Sequence, residues 1–189
     1  MRIIAGEYKS RLIQMPKSVD IRPTQDKVRG AIFNILGDVT GANTLDLFAG
    51  SGACGIEALS RGCRSVTFVD NNSRCLETVR ANLELLAVNE SDYNIIKANA
   101  LSVFPRLEKA GEKFDLIFLD PPYYRSLAKK CLINVDSCDI LSLTGLVIAE
   151  HFRKDDLFFD MNRLVLEKER RYGDTIISIY RKVASIRDD

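Results

Sequence analysis

Five short runs in this chain, Thr44 to Phe48, Ser65 to Val69, Tyr93 to Ile96, Phe114 to Leu119 and Leu146 to Ala149, are apolar almost throughout. A strand with one wet face alternates in polarity, whereas continuous hydrophobicity means burial on both faces, the condition of a parallel sheet covered by helices. Between these runs, Ile56 and Leu59, and then Cys75, Leu76, Val79, Leu83 and Leu86, recur at helical spacing. The two patterns in alternation predict βαβ units and an α/β fold built on a mostly parallel sheet. After Glu150 the pattern changes: residues 163–172 and 175–180 flank Gly173-Asp174, the signature of a C-terminal antiparallel hairpin closing the sheet edge.

The N-terminal stretch differs in character. Ile3-Ile4-Ala5 and Arg11-Leu12-Ile13 predict a small hairpin around Gly6 to Ser10, and Thr24 can cap a helix with Val28, Ala31, Ile32, Ile35 and Leu36 on one face. The expected organisation is an extension over residues 1–40 docked on a catalytic body over 41–185, one compact unit in all. A chain of 189 residues is long enough for one sheet with helices on both faces. The net charge of +1 conceals an uneven distribution. Residues 1–30 carry seven basic side chains against three acidic ones, whereas residues 31–150 carry eleven against fifteen. A basic arm beside an acidic body points to phosphate contacts, with Arg2, Lys9, Arg11, Arg22, Lys27 and Arg29 as the candidates.

No run of 18 apolar residues occurs, and Met1 to Glu7 interrupts any leader-like stretch with charge. Five cysteines, an odd number without CxxC spacing, suit reduced thiols in a cytosol better than disulfides or zinc. The expectation is a cytoplasmic, soluble monomer with no membrane association and no metal. His151, the only histidine, and the cysteines are read as packing residues, since none has an evident base partner.

Gly50-Ser51-Gly52-Ala53-Cys54-Gly55 is a G-x-G-x-x-G run after a buried strand, the form of a loop that approaches a nucleotide-bearing cofactor. Asp70 ends the next strand 20 residues after Gly50, where an acid grips ribose hydroxyls. Those features suit dinucleotides and S-adenosylmethionine equally. Asp46 discriminates: an acid before the glycine turn repels a pyrophosphate but suits a cofactor with an ammonium, a sulfonium and no phosphate. The candidate cofactor residues are Asp46, Ala49, Gly50, Ser51, Gly52, Gly55, Asp70 and Asn71, with Asn99 and Ala100 toward the adenine.

Asp120-Pro121-Pro122-Tyr123 follows the apolar run 114–119 directly. An exocyclic nucleobase amine is a poor nucleophile because its lone pair is delocalised into the ring, so it needs acceptors on its protons while it attacks. The Asp120 carboxylate and the Pro121 carbonyl both accept, the consecutive prolines hold the turn in advance, and Tyr123 offers a ring on which an extruded base can stack. Tyr124 and Arg125 would line the nucleic-acid entrance. The catalytic candidates are Asp120, Pro121 and Tyr123.

Several stretches taken together extend beyond a generic cofactor fold. They are Arg2-Ile3-Ile4-x-Gly6, Arg22-Pro23-Thr24-x-Asp26-x-Val28-Arg29, Phe33-Asn34, Leu45 to Gly52 with Gly55 to Gly62, Asp120 to Tyr123, and Tyr172-Gly173-Asp174. With them the chain resembles the bacterial 16S ribosomal RNA guanine-N2 methyltransferases of the RsmD type along nearly its whole length. The resemblance implies a seven-stranded Rossmann-like class I methyltransferase fold, S-adenosyl-L-methionine as donor, and a guanine amine of small-subunit ribosomal RNA as acceptor, with naked RNA and a partly assembled subunit both open as the substrate form. Asp70 stands where many relatives carry glutamate, and Asn99 where related enzymes often have aspartate. Two other enzyme readings compete: an adenine-N6 methyltransferase on DNA or RNA, and a nicotinamide-dependent oxidoreductase, which leaves residues 120–123 without a role. A non-catalytic RNA-binding module is disfavoured by the complete donor and acceptor motifs.

Overall fold

The computed structural model describes residues 1–16, 26–122 and 126–184. Arg22, Thr24, Tyr123, Tyr124 and Arg125, given roles above, lie outside the described residues. Seven strands form one mixed sheet in the order β3-β2-β1-β4-β5-β7-β6, the architecture of a Rossmann-like class I methyltransferase. By its contacts the chain divides into two compact units, Met1–Asn99 and Ala100–Asp189.

In the first unit, β1 (Asn43–Leu47), β2 (Ser65–Asp70) and β3 (Tyr93–Lys97) are parallel, with Leu45 beside Thr67 and Phe68 beside Ile95. Leu45, Leu47, Val66, Phe68 and Val69 are fully buried, which is why these runs show no polar alternation. Helix α2 (Ala53–Ser60) links β1 to β2, and every one of its residues is buried. Helix α3 (Ser73–Leu85) follows β2, starts on the side chain of Asn72, which accepts from Arg74 N, and buries Cys75, Leu76, Val79, Asn82 and Leu83.

The N-terminal hairpin is present in reduced form. Arg2 and Leu12 make a single antiparallel bridge, and Ile3 N donates to Arg11 O at 3.0 Å. Helix α1 (Asp26–Leu36) buries Val28 and Ile32 as its spacing predicts, but its remaining buried positions are Arg29 and Phe33, while Ile35 and Leu36 are half-buried. The face is rotated because Arg29 has buried partners that apolar periodicity does not register.

In the second unit, α4 (Phe104–Lys109) precedes β4 (Phe114–Leu119), and α5 (Leu127–Ser137) leads into β5 (Leu141–Phe152), which runs parallel to β4. Strand β5 is much longer than the run 146–149 that announces it. Phe114 faces Leu141 and Leu116 faces Leu146, so the ladder bulges between them, and that irregular stretch hides the strand start from pattern reading. Gly145 is required there: a Cβ would come within 2.6 Å of the Leu141 side chain. Strands β6 (Leu164–Tyr172) and β7 (Thr175–Lys182) form the expected antiparallel hairpin about Gly173, whose φ is 64°, and β7 pairs antiparallel with β5.

Asp136 lies in the last turn of α5 and is only 3% exposed. Its Oδ1 accepts from Arg163 N at 2.7 Å and Leu164 N at 2.9 Å, and its Oδ2 from Asn162 N at 2.9 Å. This carboxylate fixes the entry to β6.

Candidate active site

Strand β1 ends where Phe48 takes a left-handed conformation, φ 65°, uncommon for a bulky residue and costly by about 1–3 kcal/mol unless its surroundings enforce it. Three bonds do so in the loop that follows. Ala49 N donates to Val69 O at 3.0 Å, Gly50 N to Asp70 Oδ2 at 3.0 Å, and Gly52 N back to Ala49 O at 2.7 Å. Gly50 and Gly52 have φ of 56° and 80°, so the peptide that Ser51 contributes lies between two left-handed residues.

The glycines divide their work. A Cβ on Gly55 would sit 2.3 Å from the Phe68 ring and 2.8 Å from Val66 Cγ1, so Gly55 serves close packing of α2 on β2. Its N–H is held by Asp46 Oδ2 at 2.9 Å. Asp46 is 3% exposed, and its carboxylate caps an orphan donor in the first turn of α2, a structural task that the cofactor reading of this acid did not include. Asp70 is half-buried and accepts from two backbone groups, Gly50 N through Oδ2 and Asn72 N through Oδ1 at 2.8 Å. Each oxygen keeps acceptor capacity beyond these bonds. Both carboxylates therefore belong to one glycine loop, which they hold by its backbone. Ala49 and Ser51 are buried in it, Asn71 is exposed just past Asp70, and Asn99, two residues beyond the end of β3, is exposed.

Beside Asp70, the Cys75 thiol is pushed up to about 11, first by burial and then by the Asp70 carboxylate. Burial pushes Cys131 to about 12. Neither is a thiolate at neutral pH, so both are packing residues as the sequence suggests. His151 Nε2 meets Ser178 Oγ at 2.9 Å inside the second unit, and burial lowers its pKa.

In that second unit, Asp120 follows the last residue of β4 and is half-buried, Pro121 is buried and Pro122 exposed. Residues 114–119 form the strand as predicted, so Asp120 to Pro122 begin at the carboxyl end of a parallel strand, where open α/β folds bind their ligands. Ala100, the first residue of this unit, is buried.

The basic N-terminal candidates separate into two groups. Arg2, Lys9, Arg11 and Lys27 are exposed, with Arg11 Nη2 also donating to Leu85 O at 2.9 Å. Arg29 is corrected: at 1% exposure it cannot reach RNA phosphate. Its guanidinium donates to Arg2 O, pairs with Asp26 Oδ1 at 3.1 Å and lies 3.5 Å from Glu57 Oε2.

Glu57 is the residue that sequence reasoning misses. It is fully buried in α2, accepts from Ile4 N at 2.8 Å and Ala5 N at 3.1 Å, and pairs with Arg61 Nε at 2.8 Å. One turn on, Ser60 Oγ accepts from Tyr8 N at 3.0 Å while Ser60 O accepts from Glu7 N at 2.7 Å. Gly6, with φ 81°, presses so closely on this helix end that a Cβ would overlap Ser60 O at 1.6 Å. The N-terminal turn is thus bolted to α2 and is no loose arm. The available signal is an acid in the middle of an otherwise apolar helix, which demands buried donors.

Among the described residues no group of three or more His, Cys, Asp or Glu is arranged to hold a metal, and no helix is long and apolar enough to cross a membrane.

Comparison with known proteins agrees with this geometry. A family model described as Conserved hypothetical protein 95 matches residues 1–181. The Bacillus subtilis protein YlbH is 38% identical over 183 residues, covering 96% of this chain and 99% of its own. Ribosomal RNA small subunit methyltransferase D of Escherichia coli K12 is 30% identical over 190 residues, covering 100% and 93% respectively. A solved structure of Escherichia coli yhhF superposes with a TM-score of 0.83 at 28% identity, over 98% of this chain and 99% of the other.

Proposed function

The chain belongs to the RsmD-type family of ribosomal RNA methyltransferases, and from that premise we propose that it transfers a methyl group from S-adenosylmethionine to the exocyclic N2 of a guanine in small-subunit (16S) ribosomal RNA. The observation that carries the donor reading is the occupancy of the glycine loop's own donors. In a dinucleotide site, loop and helix N–H groups face a pyrophosphate. Here Gly50 N is held by Asp70 and Gly55 N by Asp46, so two carboxylates stand where phosphates would need to come. The same pair of acids suits a cationic cofactor without phosphate, which disfavours the nicotinamide reading.

The residues present fit that cofactor. Asp70 would take the ribose hydroxyls on its remaining lone pairs, the Gly50 to Gly52 backbone would lie against the methionine end, and Asp46 would add negative potential behind it. When bound, the cofactor supplies an electrophilic methyl group on a sulfonium. Asp120 and the Pro121 carbonyl accept hydrogen bonds from the amine's two protons and orient its lone pair. Asp120 need not be a strong base, because the amine becomes acidic only after methylation and then loses a proton to a nearby acceptor or water. Positioning and fixed electrostatics supply the acceleration.

The test is transfer of labelled methyl to 16S RNA, deproteinised and partly assembled, followed by nucleoside analysis. N2-methylguanosine is the expected product, and N6-methyladenosine would overturn the base assignment. Asp120→Ala should bind cofactor nearly normally and lose about 100-fold or more in single-turnover methylation, the scale of removing one preorganised hydrogen-bond partner. A variant that methylates at the parent rate removes Asp120 from the mechanism.

A further inference from the structure

Asn82 lies on the apolar face of α3 and is completely buried. Its carboxamide bridges two segments distant in sequence. Oδ1 accepts from Gln14 N at 2.7 Å, and Nδ2 donates to Gln14 O at 3.1 Å and to Ser51 O at 2.9 Å. Toward Gln14 the side chain acts as a peptide group does in a strand ladder, taking the N–H and the C=O of one residue together. Toward Ser51 it fixes the one carbonyl set between the left-handed Gly50 and Gly52. The peptides flanking such residues are otherwise easily reoriented.

We propose that Asn82 is a positioning residue that couples the N-terminal segment to the cofactor loop, so that a ligand ordering Ser51 also orders the backbone at Gln14. The coupling is reciprocal: RNA held by the basic N-terminal residues strengthens cofactor binding by the factor with which cofactor strengthens RNA binding. The inference rests on the reading of the glycine loop as an S-adenosylmethionine site. The chemistry selects asparagine. Aspartate has the same shape but no donors, and it would set a carboxylate against two carbonyl oxygens. Leucine offers neither donor nor acceptor. Because both contacts use one planar group, a rotation that releases Ser51 also misaligns the pair to Gln14. A buried amide serving only the core would hold the fold yet transmit nothing between the two segments.

The experiment uses the full chain with S-adenosylhomocysteine as probe, reading affinity by calorimetry and amide exchange at Ile13, Gln14 and Gly52. In the parent protein the probe should slow exchange at all three amides. Asn82→Asp should bind the probe about 10-fold more weakly, as loss of the buried hydrogen bond to Ser51 O predicts. It should retain slowing at Gly52 and lose it at Ile13 and Gln14. Gln14→Pro removes one donor from an exposed position outside the core, and should weaken the probe a few-fold and blunt the response at Ile13. Gln14→Ala, which keeps both backbone groups, should match the parent. Should Asn82→Asp not fold, Gln14→Pro decides. Probe binding without any response at Ile13 and Gln14 in the parent, or an undiminished response in the variants, overturns the coupling while leaving the cofactor reading intact. A parent protein that does not bind the probe overturns both.

Discussion

Two buried carboxylates, one in each unit, anchor segments by their backbones, and they do it differently. Glu57 holds Ile4 N and Ala5 N, and shares its charge with the guanidinium groups of Arg29 and Arg61. Asp136 holds three successive amides, Asn162 N, Arg163 N and Leu164 N, at the entry to a strand. The first is the centre of a charge cluster that ties a terminus to a fully buried helix. The second works in the manner of a cap, with the partial charges of three N–H groups around one carboxylate. The difference predicts how each responds when its charge is removed. Neutralising Glu57 removes a buried counter-charge from the buried Arg29 and the partly exposed Arg61, whereas neutralising Asp136 strands only dipoles.

The largest effect should therefore come from Glu57→Gln. Loss of one member of a buried ion pair costs about 3–5 kcal/mol, measured as denaturant unfolding of the variant against the parent. Adding Arg29→Met should recover part of that loss, since the stranded cation is gone. Absence of recovery in the double-mutant cycle would mean that the Arg29 to Glu57 approach at 3.5 Å contributes nothing.

Asp136→Asn should cost less, about 1–3 kcal/mol, because the amide keeps one acceptor oxygen but turns an NH2 toward backbone donors. Amide exchange at Arg163 and Leu164 should rise ahead of the rest of the hairpin. A cost equal to that of Glu57→Gln would erase the distinction between the two anchors.

Ser60→Ala removes a neutral anchor beside Glu57, the hydroxyl that accepts from Tyr8 N and donates to Ala5 O. About 1 kcal/mol is expected, with faster exchange at Tyr8 and unchanged exchange at Ile4, which remains on Glu57. Faster exchange at both would show that the turn releases as one piece.

The smallest effect is a pH response from a third kind of buried polar group, the neutral imidazole of His151. Burial lowers its pKa in the folded chain, opposed by its bond to Phe152 O and by Glu169 and Asp155. Below about pH 6.5, the ordinary histidine value, the unfolded chain takes up the proton first, so it binds more protons than the folded state. Stability should fall as pH drops from about 6.5 through the lower folded pKa, and should not respond to this group above about pH 6.5. Tm measured from pH 7.5 to 5 should fall more for the parent than for His151→Gln, and parallel curves would assign the acid response to other groups.

Much of the fold is legible in the order of the residues. Residues 114–119 form a strand as their apolar run predicts, Ser65 and Tyr93 open strands where expected, and the hairpin turns at Gly173-Asp174. The glycine run and the acid that ends β2 do come together, with Gly50 on Asp70. Charge misleads where it is equated with surface. Arg29 reads as an RNA contact because it sits in a basic stretch. Arg29 and Asp136 are nonetheless buried, and their partners are backbone groups or acids at separations that periodicity cannot carry: Arg29 meets Glu57, and Asp136 reaches amides up to 28 residues away.

The sequence by itself determined the mostly parallel α/β sheet, the placement of a glycine loop after one strand and of the Asp120-Pro121-Pro122 turn after another, and the methyltransferase class to which those motifs belong. Hydrophobic run length, proline and glycine are local signals that act through the residues next to them. Tertiary structure decided which polar side chains hold the machinery in place. Glu57 lies 53 residues from Ile4, and Asn82 lies 68 from Gln14 and 31 from Ser51. Their roles exist only once burial has removed water as the competing partner, because a backbone N–H or C=O looks the same at every position until the fold selects which ones must be satisfied by a side chain.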